Sequence, residues 1–394
     1  MHPTRRDSRT AAVSSGFVLP VLLGTLLALS ACSTEPAGVA APEIPDVGPP
    51  AATDTVGNGA VRAALVIDPA NLPVYAGVGL PAFYTAAVRQ REDRTPLSNP
   101  ITNAGATLGR VLFFDTRLSI SQAVSCASCH AVESTFGDSA RFSLGFDGVR
   151  RTSVHSMRLV NARFNESARY FWDRRAPTLE AQTTQPVQDG LEMGFDAAHG
   201  GIDAALTRLR SSTFYARLFR LAFGDSSISE DRVQRALAQY VRAITSTQSR
   251  WDVAYAQIAP PGNLPPNFLA PLPGFSAEES RGQQLFIQTV NAGGAGCAAC
   301  HVPPTYSLSA ASRSNGLDAG ETRVFRSPSL KNVGLSRRYM HDGRFDSLAA
   351  VVAFYNADVR AGPALDPRLL NGTGQPRRLN LSAADQAALV AFLR

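Results

Sequence analysis

The sequence predicts a mainly helical protein built as two similar halves, and three observations carry that prediction. Apolar residues recur at helical spacing, as at Val233, Leu237, Val241 and Ile244 and again at Leu389, Phe392 and Leu393, whereas alternating strand patterns are scarce. The run Cys126-Ala127-Ser128-Cys129-His130 returns later as Cys297-Ala298-Ala299-Cys300-His301. Each copy follows a related stretch, Gly109-Arg110-Val111-Leu112-Phe113-Phe114 before the first and Gly282-Gln283-Gln284-Leu285-Phe286 before the second, which points to an internal duplication. A chain of 394 residues that is 44% apolar can bury a large core and has the length of roughly two domains. With 18% charged residues it is not disordered throughout, and it is neither collagen-like nor a polytopic membrane protein.

Taken from the N-terminus, residues 1–31 read as an address rather than as fold. Arg5, Arg6 and Arg9 precede a short apolar run from Phe17 to Leu29, and small residues follow just before Cys32. An apolar stretch of this length with those flanks predicts a secretory signal, and Leu29-Ser30-Ala31-Cys32 resembles the bacterial lipoprotein box, which implies lipid attachment to Cys32. An ordinary signal peptide with an incidental cysteine is the alternative. Ser33 is not the aspartate that retains lipoproteins at the inner membrane, so the expected location is the periplasmic side of the cell envelope, on an outer-membrane lipid anchor. Residues 32–94 are expected to be a flexible tether and N-terminal extension, because the stretch to about Ala60 is too poor in large apolar side chains to offset the entropy of ordering it.

The first domain is expected over residues 95–259. Residues 260–274, with six prolines and two glycines, read as a turn-rich linker. The second domain covers 275–394. Its first helix is announced by Phe275, the N-cap Ser276 and Glu279 three residues on, a capping box with an apolar residue before it. The formal charge of +6 is a weak signal. It falls to +4 without residues 1–31, no block of like charges exists, and nucleic-acid binding is not expected.

The two cysteine motifs carry the chemistry. Thiols separated by two residues can form thioethers with the two vinyl groups of one haem, and the adjacent histidine then reaches the iron. A disulfide pair or a zinc site would not require histidine directly after the second cysteine in both copies. The expectation is two cytochrome-c-like helical domains, each with one covalently bound haem c: Cys126, Cys129 and His130 for the first, and Cys297, Cys300 and His301 for the second.

Further landmarks stand around these motifs: Leu112-Phe113-Phe114-Asp115-Thr116-Arg117-Leu118-Ser119, Phe171-Trp172-Asp173-Arg174-Arg175-Ala176, Leu191-Glu192-Met193-Gly194, Pro328-Ser329-Leu330-Lys331-Asn332-Val333 and Tyr339-Met340-His341-Asp342-Gly343. With both haem motifs in order, the chain from about residue 95 to its end resembles the di-haem cytochrome c peroxidase family, which includes MauG. The resemblance implies that the His130 haem reacts with hydrogen peroxide and that Trp172 passes electrons between the two haems. It also implies that Gln182 and Glu192 form the distal-pocket pair, with Pro186 lining the pocket. A carboxylate there can shuttle a proton between the two peroxide oxygens.

Two positions depart from the conventional peroxidase pattern. Fourteen residues beyond His341, where electron-storing members place a methionine ligand to the second iron, stands Tyr355, the MauG arrangement. Phenolate stabilises oxidised iron, whereas a thioether raises the potential. Met340 is the rival ligand. The loop histidine of members that need reductive activation aligns with Asp147, while His155 falls where the family often has the asparagine of a calcium site. His155 is thus a rival distal ligand, and calcium, with the carbonyls of Ser336 and Arg338 as its other ligands, is put in doubt. His199 is expected to face solvent. Three functions remain: a MauG-like enzyme acting on a protein substrate, a conventional peroxidase fed by a small cytochrome or cupredoxin, and a non-catalytic electron carrier. A proton shuttle at Glu192 argues against the carrier.

Overall fold

The computed structural model describes residues 55–262 and 264–394; the signal segment and Cys32 lie outside them. Thirteen α-helices are found among the described residues, with one two-stranded antiparallel ribbon, β1 (His301–Val302) and β2 (Ser307–Leu308). In the first half these are α1 (Thr55–Ala64), α2 (Ala86–Glu92), α3 (Asn103–Phe114), α4 (Cys126–Cys129), α5 (Leu179–Thr183), α6 (Gln185–Gln188), α7 (Gly201–Arg210), α8 (Thr213–Phe223), α9 (Glu230–Ala243) and α10 (Arg250–Ala256). The second half holds α11 (Ala277–Ile287), α12 (Leu348–Ala353) and α13 (Ala383–Leu393). None is long and apolar enough to cross a membrane.

The duplication is visible in packing. Helix α3 starts at Thr102, whose hydroxyl accepts the Gly105 N–H, and it buries Leu108, Leu112 and Phe113 against α9. The two cross where Gly109 lies on the backbone of Ala236 and against Tyr240, so close that a methyl group would fall on the Ala236 carbonyl oxygen. In the second half α11 buries Leu285 and Phe286 against α13, and Gly282 lies in the same way on Ala388 and Phe392. In both crossings the contacted residues are four apart, one turn along the facing helix. Only glycine lets the axes approach this closely, and each large side chain sealed in the seam contributes roughly 1.5–3 kcal/mol. The predicted capping box is present: Ser276 N–H donates to Glu279 Oε2 (2.7 Å) and Glu279 N–H to Ser276 Oγ (3.2 Å).

Each half has its own apolar cluster, and a third joins them. Phe83, Tyr84, Val88, Phe164, Tyr255 and Leu272 are buried together, with Trp251 packed against them. Polar ties cross the same region. The buried Lys331 Nζ donates to the buried Asp252 (2.7 Å) over the Trp251 ring, and Arg158 donates to the carbonyls of Ser329 (2.8 Å) and Lys331 (3.1 Å).

The flexible tether expected to about Ala60 gives way to helix from Thr55, and the N-terminal extension that follows to residue 94 is packed. These residues form α1 and α2, bury Val61, Phe83 and Tyr84, and send Glu92 into the second half, where it accepts bonds from Ser307 Oγ (2.7 Å) and Thr305 Oγ1. Sparse apolar residues suffice here because each meets a prepared partner surface. The proline-rich linker is free of helix and strand among its described residues, yet it too is packed: Leu272 is buried, and Gln283 Nε2 donates to the carbonyls of Phe268 (2.8 Å) and Ala270 (2.9 Å).

Candidate functional site

The first motif forms a single helical turn. Ser125 N–H donates to Ser128 Oγ (3.0 Å), and the turn closes with His130 N–H on the Cys126 carbonyl (2.9 Å). His130 Nδ1 lies 3.0 Å from the Phe136 carbonyl, which can only accept, so Nδ1 carries the proton and Nε2 is left as the basic nitrogen. Burial lowers the His130 pKa and keeps the ring neutral. Burial also pushes the Cys126 thiol up to about 12 and Cys129 to about 11. In the second motif a 3₁₀ turn, Cys297–Ala299, begins after Gly296 at φ +71°, and His301 opens β1. His301 is held near 4 by burial and the nearby Arg158 and Arg368 cations, and its buried Nδ1 has no hydrogen-bond partner. Both sets are chemically suited to a covalently held haem: two thiols not joined in a disulfide, followed by a neutral imidazole with a nitrogen for iron.

A cleft of about 290 Å³ is lined by Phe171, Arg175, Gln185, Pro186, Gln188, Asp189 and Glu192. Only Pro186 and Glu192 among these have a role expected from the sequence; Arg175, Gln185, Gln188 and Asp189 do not. Asp189 fixes the turn by accepting the N–H groups of Leu191 (2.8 Å) and Glu192 (3.0 Å). Burial, reinforced by the Asp189 charge and opposed by Arg175, raises Glu192 from 4.5 to about 7. The Glu192 charge adds a little to the rise at both Cys126 and Cys129, so the carboxyl lies near the first motif. A carboxyl group balanced near neutrality can both take and give a proton. Gln182, on α5, does not line this cleft; its backbone serves the helix, with its N–H on the Thr178 carbonyl (3.2 Å). An Asp-Gly turn signal at Asp189-Gly190 was the clue available for Asp189.

Trp172 stands between the halves. Its Nε1–H donates to the His155 carbonyl (2.7 Å), and its own carbonyl accepts the Arg326 N–H (2.7 Å). Its ring lies edge-on to His341 at 6.3 Å, and His341 stacks on Phe325 at 3.9 Å. The supporting loop holds Ala168, Phe171 and Arg174 at positive φ, a strained backbone kept by its surroundings. His155 is buried, with Nδ1 on the Arg141 carbonyl (3.2 Å) and its N–H on the His341 carbonyl (2.8 Å); it is not among the residues of the Glu192 cleft. His199 pairs with Asp196 at the surface (2.6 Å).

Calcium finds a poor donor set. The Ser336 carbonyl already accepts Tyr339 Oη–H (3.1 Å), the Arg338 carbonyl accepts Ser336 Oγ–H (3.3 Å), and His155 offers nitrogen where a hard cation prefers oxygen. No cluster of three or more His, Cys, Asp or Glu suited to a metal ion exists among the described residues.

Tyr355 and Met340 are brought together at the second site. Tyr355 sits in a π-helical segment, Phe354–Asp358, that continues α12, and Met340 has φ +71°. Burial raises the phenol to about 12, and the nearby Cys300 and Cys297 thiols add to the rise, so Tyr355 lies close to the second motif. Asn315 Nδ2 reaches both Tyr355 Oη (3.3 Å) and Met340 Sδ (3.4 Å).

Similarity to known proteins follows the same outline. The family model of the di-haem cytochrome c peroxidases matches residues 103–258. The methylamine utilization protein MauG of Methylorubrum extorquens is 31% identical over 316 residues, covering 76% of this chain and 79% of that protein. MauG of Methylophilus methylotrophus is 29% identical over 318 residues, covering 76% and 84%. The crystal structure of a MauG-like protein associated with microbial copper homeostasis aligns with a TM-score of 0.61 at 27% identity, covering 77% of this chain and 91% of that one.

Proposed function

This chain belongs to the di-haem cytochrome c peroxidase family, which includes MauG, and from that premise we propose that the Glu192 cleft is its peroxide site. The protein is an oxidoreductase of this type and acts on hydrogen peroxide. In the proposed arrangement Cys126, Cys129 and His130 hold the peroxide-reactive haem c, and Cys297, Cys300 and His301 hold the second. When bound, haem supplies iron that coordinates peroxide and exchanges electrons singly.

The observation that carries the reading is Glu192, a carboxyl raised to about 7 in a cleft lined by Phe171, Arg175 and Pro186 and near the first cysteine pair. Its carboxylate would take a proton from one peroxide oxygen and return it to the other, so that the O–O bond breaks with one oxygen leaving as water; the other oxygen becomes a second water once the donor has supplied two electrons and two protons have been taken up. Pro186 and Phe171 shape the cleft, and Gln182, which lies outside its lining, is proposed as the second member of the distal pair on the family resemblance alone. Trp172, tied to His155 and edge-on to His341, is the proposed electron relay between the halves. Tyr355 is the proposed sixth ligand at the second site, favouring oxidised iron and hence MauG-like oxidation of a substrate. The electrons come from a protein substrate or from a small cytochrome or cupredoxin. The proposed location is the periplasmic side of the envelope, with Cys32 lipid-anchored.

The test is to add one equivalent of hydrogen peroxide to the fully oxidised protein, without reductant, and follow optical and EPR spectra. A high-spin haem that reacts at once is expected. Reaction only after one-electron reduction would replace the MauG-like reading with the conventional peroxidase. Two low-spin haems that ignore peroxide in both redox states would overturn the peroxide site.

A further inference from the structure

We propose that Asn315 is the positioning residue that selects Tyr355 over Met340 as the ligand at the second haem site; this rests on the ligand reading given above. Its carboxamide nitrogen lies 3.3 Å from Tyr355 Oη and 3.4 Å from Met340 Sδ, so one NH₂ group addresses both candidates, one hydrogen to each. The amide orientation is fixed locally. Asn315 Oδ1 accepts the Leu317 N–H (3.3 Å), so the nitrogen is the end turned to the pair.

The loop that carries Asn315 is clamped on both sides. Ser314 N–H donates to the Ala364 carbonyl (2.9 Å), Asp366 N–H to the Ser314 carbonyl (2.9 Å), and Arg360 N–H to the Gly316 carbonyl (2.8 Å). Gly316 has φ +70°, and a methyl there would meet the Arg360 carbonyl oxygen at 2.6 Å. The donor is therefore held still, while the two acceptors sit on unusual backbone: Tyr355 in a π-helical turn and Met340 at positive φ. Both side chains pack on the same small cluster of Leu317, Phe354, Val359 and Leu365.

Chemistry makes the two bonds unequal. A tyrosine must give up its proton to ligate iron, and an N–H bond to the resulting oxygen becomes charge-assisted and stronger. A thioether is a weak acceptor and gains no charge on ligation. One rigid donor shared between them therefore tips the site toward oxygen and keeps the sulfur engaged off the iron.

The test compares wild type, Asn315→Leu and the double variant Asn315→Leu/Met340→Leu, all as holoproteins in the oxidised state. Optical and EPR spectra report the ligand, and redox titration reports the second haem. Wild type is expected to lack the methionine-to-iron charge-transfer band, Asn315→Leu to gain it with an upward shift of the second potential, and the double variant to lose it again. The spectrum of the first haem is the internal control for folding, and Asn315→Ser, which removes the amide without adding bulk, is the second variant. If both Asn315 variants keep the wild-type ligand spectrum and potential, the role of Asn315 is refuted while Tyr355 ligation stands. A methionine band already present in wild type would overturn the Tyr355 reading and the selection together.

Discussion

Replacing Glu192 with glutamine probes function and stability through the same carboxyl group. The ordinary value of 4.5 rises to about 7 in the folded protein, chiefly because burial disfavours the anion. The sign follows from linkage. A group whose folded pKa is raised contributes its stabilisation fully below the unfolded value, near pH 4.5, and loses it as pH climbs through about 7. A rise of this size corresponds to about 3 kcal/mol at pH 8. Glu192→Gln should leave stability unchanged near pH 4.5 and increase it by up to about 3 kcal/mol at pH 8, measured by denaturant unfolding at both pH values. Peroxide turnover should move the other way. As the proton acceptor, wild type should gain rate as pH rises through about 7. The glutamine variant should lose that pH limb and about a hundredfold to ten-thousandfold in rate by stopped-flow mixing with peroxide. A variant that keeps both the limb and the rate would remove Glu192 from the mechanism. One that loses rate without gaining stability at pH 8 would show that burial is not what raises the carboxyl.

Three further perturbations test other levels of the structure. Gly109→Ala and Gly282→Ala should each force a helix crossing apart and cost about 1–3 kcal/mol or more in thermal or denaturant unfolding; Gly372→Ala, with open space around it, is the neutral control. Lys331→Met should strand the buried Asp252 charge and lower stability by about 3–5 kcal/mol, visible as a reduced denaturant midpoint. An unchanged midpoint would mean that water reaches Asp252. Tyr355→Met should raise the reduction potential of the second haem; no shift in redox titration would exclude Tyr355 as its ligand.

Much of the candidate site could be read in advance because its residues lie close together in the chain. Two thiols and a histidine within five residues come from one turn whatever the rest of the chain does, so Cys126, Cys129, His130 and their counterparts stand out as candidates without tertiary information. The helical core was equally legible, since Val233, Leu237 and Val241 need only a 3.6-residue period to define the buried face of α9. Even the duplication was visible in the order Gly-x-x-Leu-Phe, which the fold turns into two glycine-sealed crossings.

Other properties depended on which segments come to lie against each other. The N-terminal extension shows no helical or strand period that names a partner, yet Glu92 and Tyr84 reach surfaces of the second half more than two hundred residues away. Periodicity contains nothing about such a partner. The raised carboxyl of Glu192 arises from burial beside Asp189 and opposite Arg175, an electrostatic environment that no spacing rule encodes. Asn315 lies forty residues before Tyr355 and twenty-five before Met340, and only the clamped 314–317 loop makes one amide the neighbour of both. The sequence by itself determined what is bonded within a turn and which face of a helix is buried, because both are set by local geometry. The tertiary structure alone decided proton affinities and the choice of neighbours, because desolvation and Coulomb interactions are sums over atoms that the chain brings together only when it folds.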